Sequence, residues 1–259
     1  MIELGPGARS DAYVEPGVHL ILGAHSYIGH DTRIVGTGCV EFGDYCTIHR
    51  GCFIQSGRNA HVKFGHNCWI GERTVLDGKG GITAGNNIGI GIASHLYSHI
   101  EHGDINAGSK YFSKKEMILE DNVWFVGQCL VSPIHAKERS MAMLGSVISH
   151  DMEINRIYGG IPAKDLTGKL GEPWTPAKFI DPNEQLSAMQ DLIEEYLETR
   201  PWVTDSLLLP CIEFPINRDP LVTYFNVVTR TYTKIQSETE MNFLNWATSY
   251  RCRFVPEHE

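Results

Sequence analysis

The stretch Leu22-Gly-Ala-His-Ser-Tyr27, Ile28-Gly-His-Asp-Thr-Arg33, Ile34-Val-Gly-Thr-Gly-Cys39 decides the fold, because a large apolar residue returns every six positions. Two extra residues, Val40 and Glu41, precede the hexads from Phe42 and Ile48. Four more follow the hexad from Ile54, and the frame then runs through Phe64, Ile70, Leu76, Ile82 and Ile88 to Ser94. The fifth position is small or slim: Ser26, Thr32, Gly38, Cys46, Cys52, Cys68, Thr74 and Gly80. The second is often glycine, as at Gly23, Gly29, Gly43, Gly65, Gly71 and Gly89. A helix needs apolar spacing near 3.6 residues and a solitary strand alternates by two, so neither accounts for six. A coil with three flat sides does. Each side is one short strand, the first-position residue fills the interior, and the slim fifth position fits near a corner. Three hexads, about 18 residues, make one coil; about seven coils stacked roughly 4.8 Å apart give a prism roughly 35 Å tall.

Composition agrees with an ordinary globular chain. Of 259 residues, 42% are hydrophobic and 20% charged, which excludes wholesale disorder and fibrous classes. No run reaches the ~18 apolar residues of a membrane span, and Met1-Ile2-Glu3-Leu4-Gly5-Pro6 has neither the basic nor the apolar part of a secretory signal, so a cytoplasmic location and no membrane partner are expected. With 22 basic and 31 acidic residues the net charge is −9, which argues against nucleic acid while leaving room for a local basic patch that binds a small anion. The seven cysteines include no CxxC pair and imply no disulfide framework. Cys46, Cys52, Cys68 and Cys129 read as small buried hydrophobes.

The repeat is interrupted between about Ile100 and Met117 by a polar, aperiodic, glycine-containing segment, and a loop of that length in a regular domain is commonly functional. Just before it stands Ser94-His95-Leu96-Tyr97-Ser98-His99, with His102 inside it: three histidines within eight residues, the densest chemical cluster in the chain. The repeat resumes at Leu119-Glu-Asp-Asn-Val-Trp124, returns as Gly145-Ser-Val-Ile148, and closes with Gly160-Ile-Pro-Ala-Lys164.

That ordered series, Asp-Asn-Val-Trp, then Gly-Ser-Val-Ile, then Gly-x-Pro-Ala-Lys, resembles the closing coils of the hexapeptide-repeat acyltransferases, especially the sugar O-acetyltransferase branch; the hexad resemblance covers roughly residues 16–165. It implies a left-handed parallel β-helix with a protruding loop, acetyl-CoA as co-substrate with no metal expected, a homotrimer, and a sugar or nucleotide-sugar acceptor. In that branch the catalytic histidine closes the third hexad counted from an Ile/Val-x-x-Gly-x-Asn hexad. Here Ile82-Thr-Ala-Gly-Asn-Asn87 leads to His99, and His95 is the second candidate. A neutral imidazole, with an ordinary pKa of ~6.5, can take the acceptor's proton as it attacks the thioester. Glu101 and Asp104 are near His99 in sequence only. The resemblance further implies Trp124 near the reacting end of the acyl-CoA, Gly127, Leu144 and Ser149 along its arm, and Lys164 near its phosphates. Two departures stand out: Leu144 where alanine is usual, and His150 where lysine is common.

The three histidines also admit a γ-class carbonic-anhydrase-like metal site, although that family's His-Gly pairs on consecutive coils are missing. A non-catalytic scaffold is a third reading. After about residue 170 the hexads stop, and a boundary of 1–170 and 171–259 is expected, the second part a small α+β appendage. In it, Asp181-Pro182 opens a helix that runs to Arg200-Pro201, Leu207–Leu209 and Tyr224–Tyr232 read as strands, and Ser237 with Glu240 forms a capping box for a second helix. Gly168, Gly171, Trp174 and Pro176 read as the linker between the two parts.

Overall fold

The computed structural model describes residues 1–175, 181–200, 205–248 and 252–257; Pro176 and Pro201 lie outside them. The chain forms two compact units, Met1–Trp174 and Thr175–Glu259. The first is a left-handed parallel β-helix of hexapeptide repeats. Its three faces hold seven, nine and seven strands, each bonded to the strand one coil away except the last of the nine, Ala163–Asp165, which folds back antiparallel on Ile157–Gly160. Along the first face run Ile2–Leu4, His19–Leu22, Cys39–Phe42, Val62–Phe64, Ile82–Ala84, Met117–Leu119 and His135–Ala136. The second face includes Tyr27–Ile28, Thr47–Ile48, Trp69–Ile70, Gly89–Ile90 and Trp124–Phe125. The third includes Arg33–Gly36, Phe53–Ser56, Val75–Gly78, His95–Tyr97 and Leu130–Val131.

The first coil, from Leu4 to Leu22, is three hexads long, and most of those above it are longer. Register partners Leu22, Phe42, Phe64, Ala84, Leu119 and Ala136 mark successive coils of 20, 22, 20, 35 and 17 residues. The excess has a definite place. The steps onto the second and third faces stay at six, as from Phe64 to Ile70 to Leu76, all buried. The first face instead turns two residues inward per coil, Leu20 with Leu22, Val40 with Phe42, Val62 with Phe64 and Ile82 with Ala84. The inward frame therefore passes from Ile82 through Ala84 to Ile90 and Leu96, not through Ile88 to Ser94. Ile88 and Ser94 occupy the corner position that Cys68 and Thr74 hold one coil below. The sequence concealed this slip because Ile82 and Ile88 are apolar, six apart and both buried.

Corners follow a second rule. Between the first and second faces a residue in each coil takes the left-handed backbone conformation: His25, Tyr45, Asn67, Asn87, Asn122, Arg139 and Asn155. Between the second and third, Asp31, Arg73, Ala93 and Gln128 do so, with Gly51 and Gly145 in the same series. Asparagine tolerates this region, whereas other L-residues meet roughly 1–2 kcal/mol of steric cost. Slim residues just before the inward position complete the corner. Ser26 Oγ donates to Gly43 O at 2.6 Å and accepts from Cys46 N at 2.9 Å, and Thr32 Oγ1 donates to His49 O at 3.2 Å. Cys46, Cys52, Cys68 and Cys129 occupy equivalent buried places, and all seven cysteines are free. Burial pushes the Cys52 thiol up to about 11, so it carries no nucleophilic thiolate at neutral pH.

In the second unit the helix Pro182–Thr199 starts as expected, with the Asp181 side chain accepting from Asn183 N, and buries Met189, Ile193 and Tyr196. The run Tyr224–Tyr232 is not one strand. Val222–Asn226 and Thr231–Tyr232 pair antiparallel, because Asn226 Oδ1 accepts from Val228 N and Thr229 N and folds the chain over. Ser237 caps the helix Glu238–Ala247 by accepting from Glu240 N. The Glu240 carboxylate is buried and accepts instead from Ile235 N, Gln236 N and Thr223 Oγ1. Among the described residues no helix is long and apolar enough to cross a membrane.

Ala93 stands at φ 53° in the corner series where Gly51 and Gly145 occur. Ala93→Gly should stabilise the chain by roughly 0.5–1 kcal/mol and Ala93→Val should destabilise it, both read by denaturant unfolding; a loss of stability in the glycine variant would contradict the corner rule.

Candidate functional site

The corner leading from the third face back to the first is the one that accepts insertions. Its inward step is eight from Ile54 to Val62 and twenty-one from Leu96 to Met117. The latter insertion, expected as an aperiodic loop, is a β-hairpin: His99–Glu101 pairs antiparallel with Phe112–Lys114. Asp104 Oδ1 organises its turn by accepting from Asn106 N and Ala107 N.

Ser98 fastens the hairpin to the coil below. It is fully buried. Its N–H and Oγ both donate to Asp77 O, at 2.9 and 2.6 Å, and its Oγ accepts from Gly80 N at 2.8 Å. A Cβ on Gly80 would stand 2.2 Å from Ser98 O, so only glycine fits there.

This fastening fixes two side chains. Asp77 is the last outward residue of its strand before the corner and lies in register with Tyr97 one coil above. His99 follows two residues after Tyr97. Its Nδ1 is 2.7 Å from Asp77 Oδ1, and the two side chains are 12% and 10% exposed. The contact has the distance of a hydrogen bond but not its in-line ring N–H geometry, an arrangement that commonly tightens when a site is filled. A carboxylate at Nδ1 favours the tautomer protonated there and leaves Nε2 with a lone pair able to accept a proton. Lys79 N also reaches Asp77 Oδ1, at 3.3 Å.

The other candidates are distributed over the prism. His95 begins the strand His95–Tyr97 that leads into the hairpin. It faces outward beside Tyr97, whose hydroxyl is 3.5 Å from His95 Nδ1, and pairs with Val75 below and Leu130 above. His102 is exposed in the hairpin turn. The three histidines do not converge, and among the described residues no group of three or more His, Cys, Asp or Glu side chains is placed to hold a metal ion. Ser149 follows the strand Val147–Ile148 and shares the corner of His99 two coils higher. Gly127 and Leu144 occupy the opposite edge of the third face, where a Cβ on Gly127 would lie 3.3 Å from Leu144 Cδ1. The exposed Leu144 side chain thus covers the space that glycine leaves. Trp124 lies on the second face, about half exposed, between Gly89 and Met141. A Cβ on Gly89 would come within 2.9 Å of the indole. Lys164 lies beyond the last coil of that face, on Ala163–Asp165, opposite Gly159. One chain therefore joins His99 to Asp77, sets His95 against Tyr97 on the same face, and leaves Trp124 and Lys164 around the corner on a different face.

The sequence names His99 as a candidate and gives no local sign of Asp77, the residue it contacts, which is 22 residues upstream. The available signal was the true coil length: 20 residues before Tyr97 stands Asp77.

No family model matches the chain. A UDP-3-O-acylglucosamine N-acyltransferase of Helicobacter hepaticus is 35% identical over 96 residues, which is 33% of this chain and 29% of that protein, so the chain matches less than a third of that relative's length. Among solved structures, a point mutant of AntD, an N-acyltransferase from Bacillus cereus in complex with dTDP and coenzyme A, aligns with a TM-score of 0.51 at 16% identity, over 69% of this chain and 91% of that one. The polysialic acid O-acetyltransferase OatWY aligns at 0.44 and 14% identity, over 68% and 92%. The similarity to AntD is one of fold.

Gly80→Ala should drive Ser98 O away and loosen the hairpin. Limited trypsin digestion should then cut at Lys110, Lys114 or Lys115 at least tenfold faster than in the parent chain; equal protection would show that the hairpin does not depend on this contact.

Proposed function

We propose that this left-handed hexapeptide β-helix is a coenzyme A-dependent acyltransferase that moves an acetyl group from acetyl-CoA to a hydroxyl or amine of a sugar or nucleotide-linked sugar. The observation that carries the reading is the partly buried His99 imidazole, its Nδ1 against Asp77, at the base of the hairpin. The curated relative and the AntD structure are both named as acyltransferases, and AntD is described with coenzyme A, which supports a thioester donor.

The residues take the following roles. The acceptor's O–H or N–H lies against His99 Nε2, which removes the proton as the heteroatom forms a bond to the thioester carbonyl carbon. The C–S bond then breaks, and the coenzyme A thiolate leaves with the proton returned from the imidazolium. The Asp77 carboxylate holds the ring's orientation and stabilises the imidazolium while it exists. A thioester is reactive enough for direct attack, so no covalent enzyme intermediate is needed.

For the donor, Trp124 would flank the reacting end, Gly127, Leu144 and Ser149 the pantetheine arm, and Lys164 the phosphates. Leu144 covering Gly127 narrows that path relative to an alanine. Because Trp124 and Lys164 stand on a different face from His99, a complete site needs the second face of one copy beside the third face of another. That division supports a homotrimer with sites between copies. The second unit, residues 171–259 in the sequence reading and 175–259 by its contacts, is proposed as an accessory domain to this machinery. The chemistry belongs in the cytoplasm, where acetyl-CoA is available.

Calorimetric titration with acetyl-CoA should give saturable binding near one site per chain, and no binding at millimolar ligand would overturn the reading. His99→Ala should keep that affinity and lose about 10²–10⁴-fold in kcat, and Asp77→Asn should lose about 10–10²-fold, both followed by thiol release; near-normal turnover in either would remove that residue from its role.

A further inference from the structure

The corner that carries Asp77 and His99 also collects four cations that form no ion pair among the described residues. Arg58 lies in the eight-residue step at this corner. Lys79 stacks one coil above, where a Cβ on Gly57 would meet Lys79 O at 2.7 Å. Lys115 closes the hairpin against Gly80, donating its N–H to Ser98 O at 3.1 Å. Lys114 is the register partner of His99 across the hairpin. Directly opposed residues of an antiparallel pair project from the same side with their Cβ atoms about 5 Å apart, so the Lys114 ammonium and the His99 imidazole leave the hairpin on one face.

Elsewhere on the prism some exposed cations find carboxylates, Lys63 with Glu41, Arg50 with Glu72 and Lys137 with Glu153, and others, such as Arg73 and Arg156, form no ion pair among the described residues and stand at other corners. Among the described residues Arg58, Lys79, Lys114 and Lys115 form no ion pair. Of the carboxylates nearby, three are engaged elsewhere, and Glu101, two residues after His99 on the hairpin strand, forms no ion pair among the described residues. Asp77 faces His99, Glu116 accepts from Thr83 Oγ1 at 2.5 Å and lies 3.6 Å from His61, and Asp104 holds the hairpin turn. In a chain of net charge −9, four cations without an ion pair at one corner over three levels, spanning about 10 Å, outnumber the one unengaged carboxylate beside them, Glu101, and form a local attractor for anions.

We propose that this strip holds an anionic group of the acceptor, a phosphate or a carboxylate, with Lys79 and Lys114 beside the Asp77–His99 pair and Arg58 and Lys115 extending the strip along the corner. The inference rests on the transferase reading and narrows its acceptor to a negatively charged sugar derivative. It places the acceptor's charge on the third-to-first corner, apart from Lys164 on the second face, which serves the donor's phosphates.

The test loads the full chain with saturating coenzyme A, so that the donor's anion site is filled, and then titrates it with inorganic pyrophosphate, with glucuronate and with glucose. Saturable binding of pyrophosphate, glucuronate or both, with none for glucose, is the expected result, and the preferred anion separates a phosphate from a carboxylate acceptor. Affinity should fall with added salt, and the Lys79→Gln/Lys114→Gln double variant should bind at least tenfold more weakly, while Lys137→Gln on the first face binds as the parent does. Failure of both anions to bind, or equal binding by the double variant, overturns the proposal. Should coenzyme A itself fail to bind at the loading step, the transferase reading falls, and the same titrations on the free chain still decide whether the strip is an anion site.

Discussion

The structure depends on the register of its parallel ladders. Each strand must lie one coil above its partner with the same residues facing in, so the steps onto the second and third faces are held at six. Residues beyond that count can leave only where the ladder is not interrupted, and the corner entering the first face is that place. It holds two additional residues after Ile54 and the whole hairpin after Leu96. Chemistry follows geometry here. Asp77 is the last outward residue before the corner in one coil and His99 the first after it in the next, and coil stacking brings them to 2.7 Å.

Much of the fold was legible because the interior tolerates so few residue types. Apolar residues at Leu22, Ile28, Ile34, Ile48, Ile54, Ile70 and Leu76 leave little choice but a coil, and all are buried. The frame beyond Ile82 was not legible, since the first face admits a second inward residue and apolar Ile88 satisfied the false frame as well as the true one. The hairpin escaped for a different reason. Its strands are three residues long, and its exposed Ile100, Tyr111 and Phe112 show no alternation that marks a buried face.

The site divides in the same way. His99 carried a local signature, Tyr97-Ser98-His99 before a long insertion. Asp77 has none; it sits in Leu76-Asp77-Gly78, an ordinary strand end, and acquires meaning only through the coil above. In the second unit, Glu240 was read as half of a capping box and is instead a buried carboxylate that accepts from two backbone amides and Thr223. Local pattern identified the residue, and tertiary packing chose its partners. Trp124 and Lys164 lie on the second face, around the corner from His99, so the proposed transferase draws them from a neighbouring copy.

The most direct measurement is a crystal structure of the chain with acetyl-CoA. It should show the thioester carbonyl at the base of the hairpin, close enough to His99 Nε2 for an acceptor atom to bridge the two at hydrogen-bond distance, roughly 3 Å on each side, with Trp124 supplied by an adjacent copy. A thioester bound on another face, farther than about 10 Å from His99 in every copy, would contradict it.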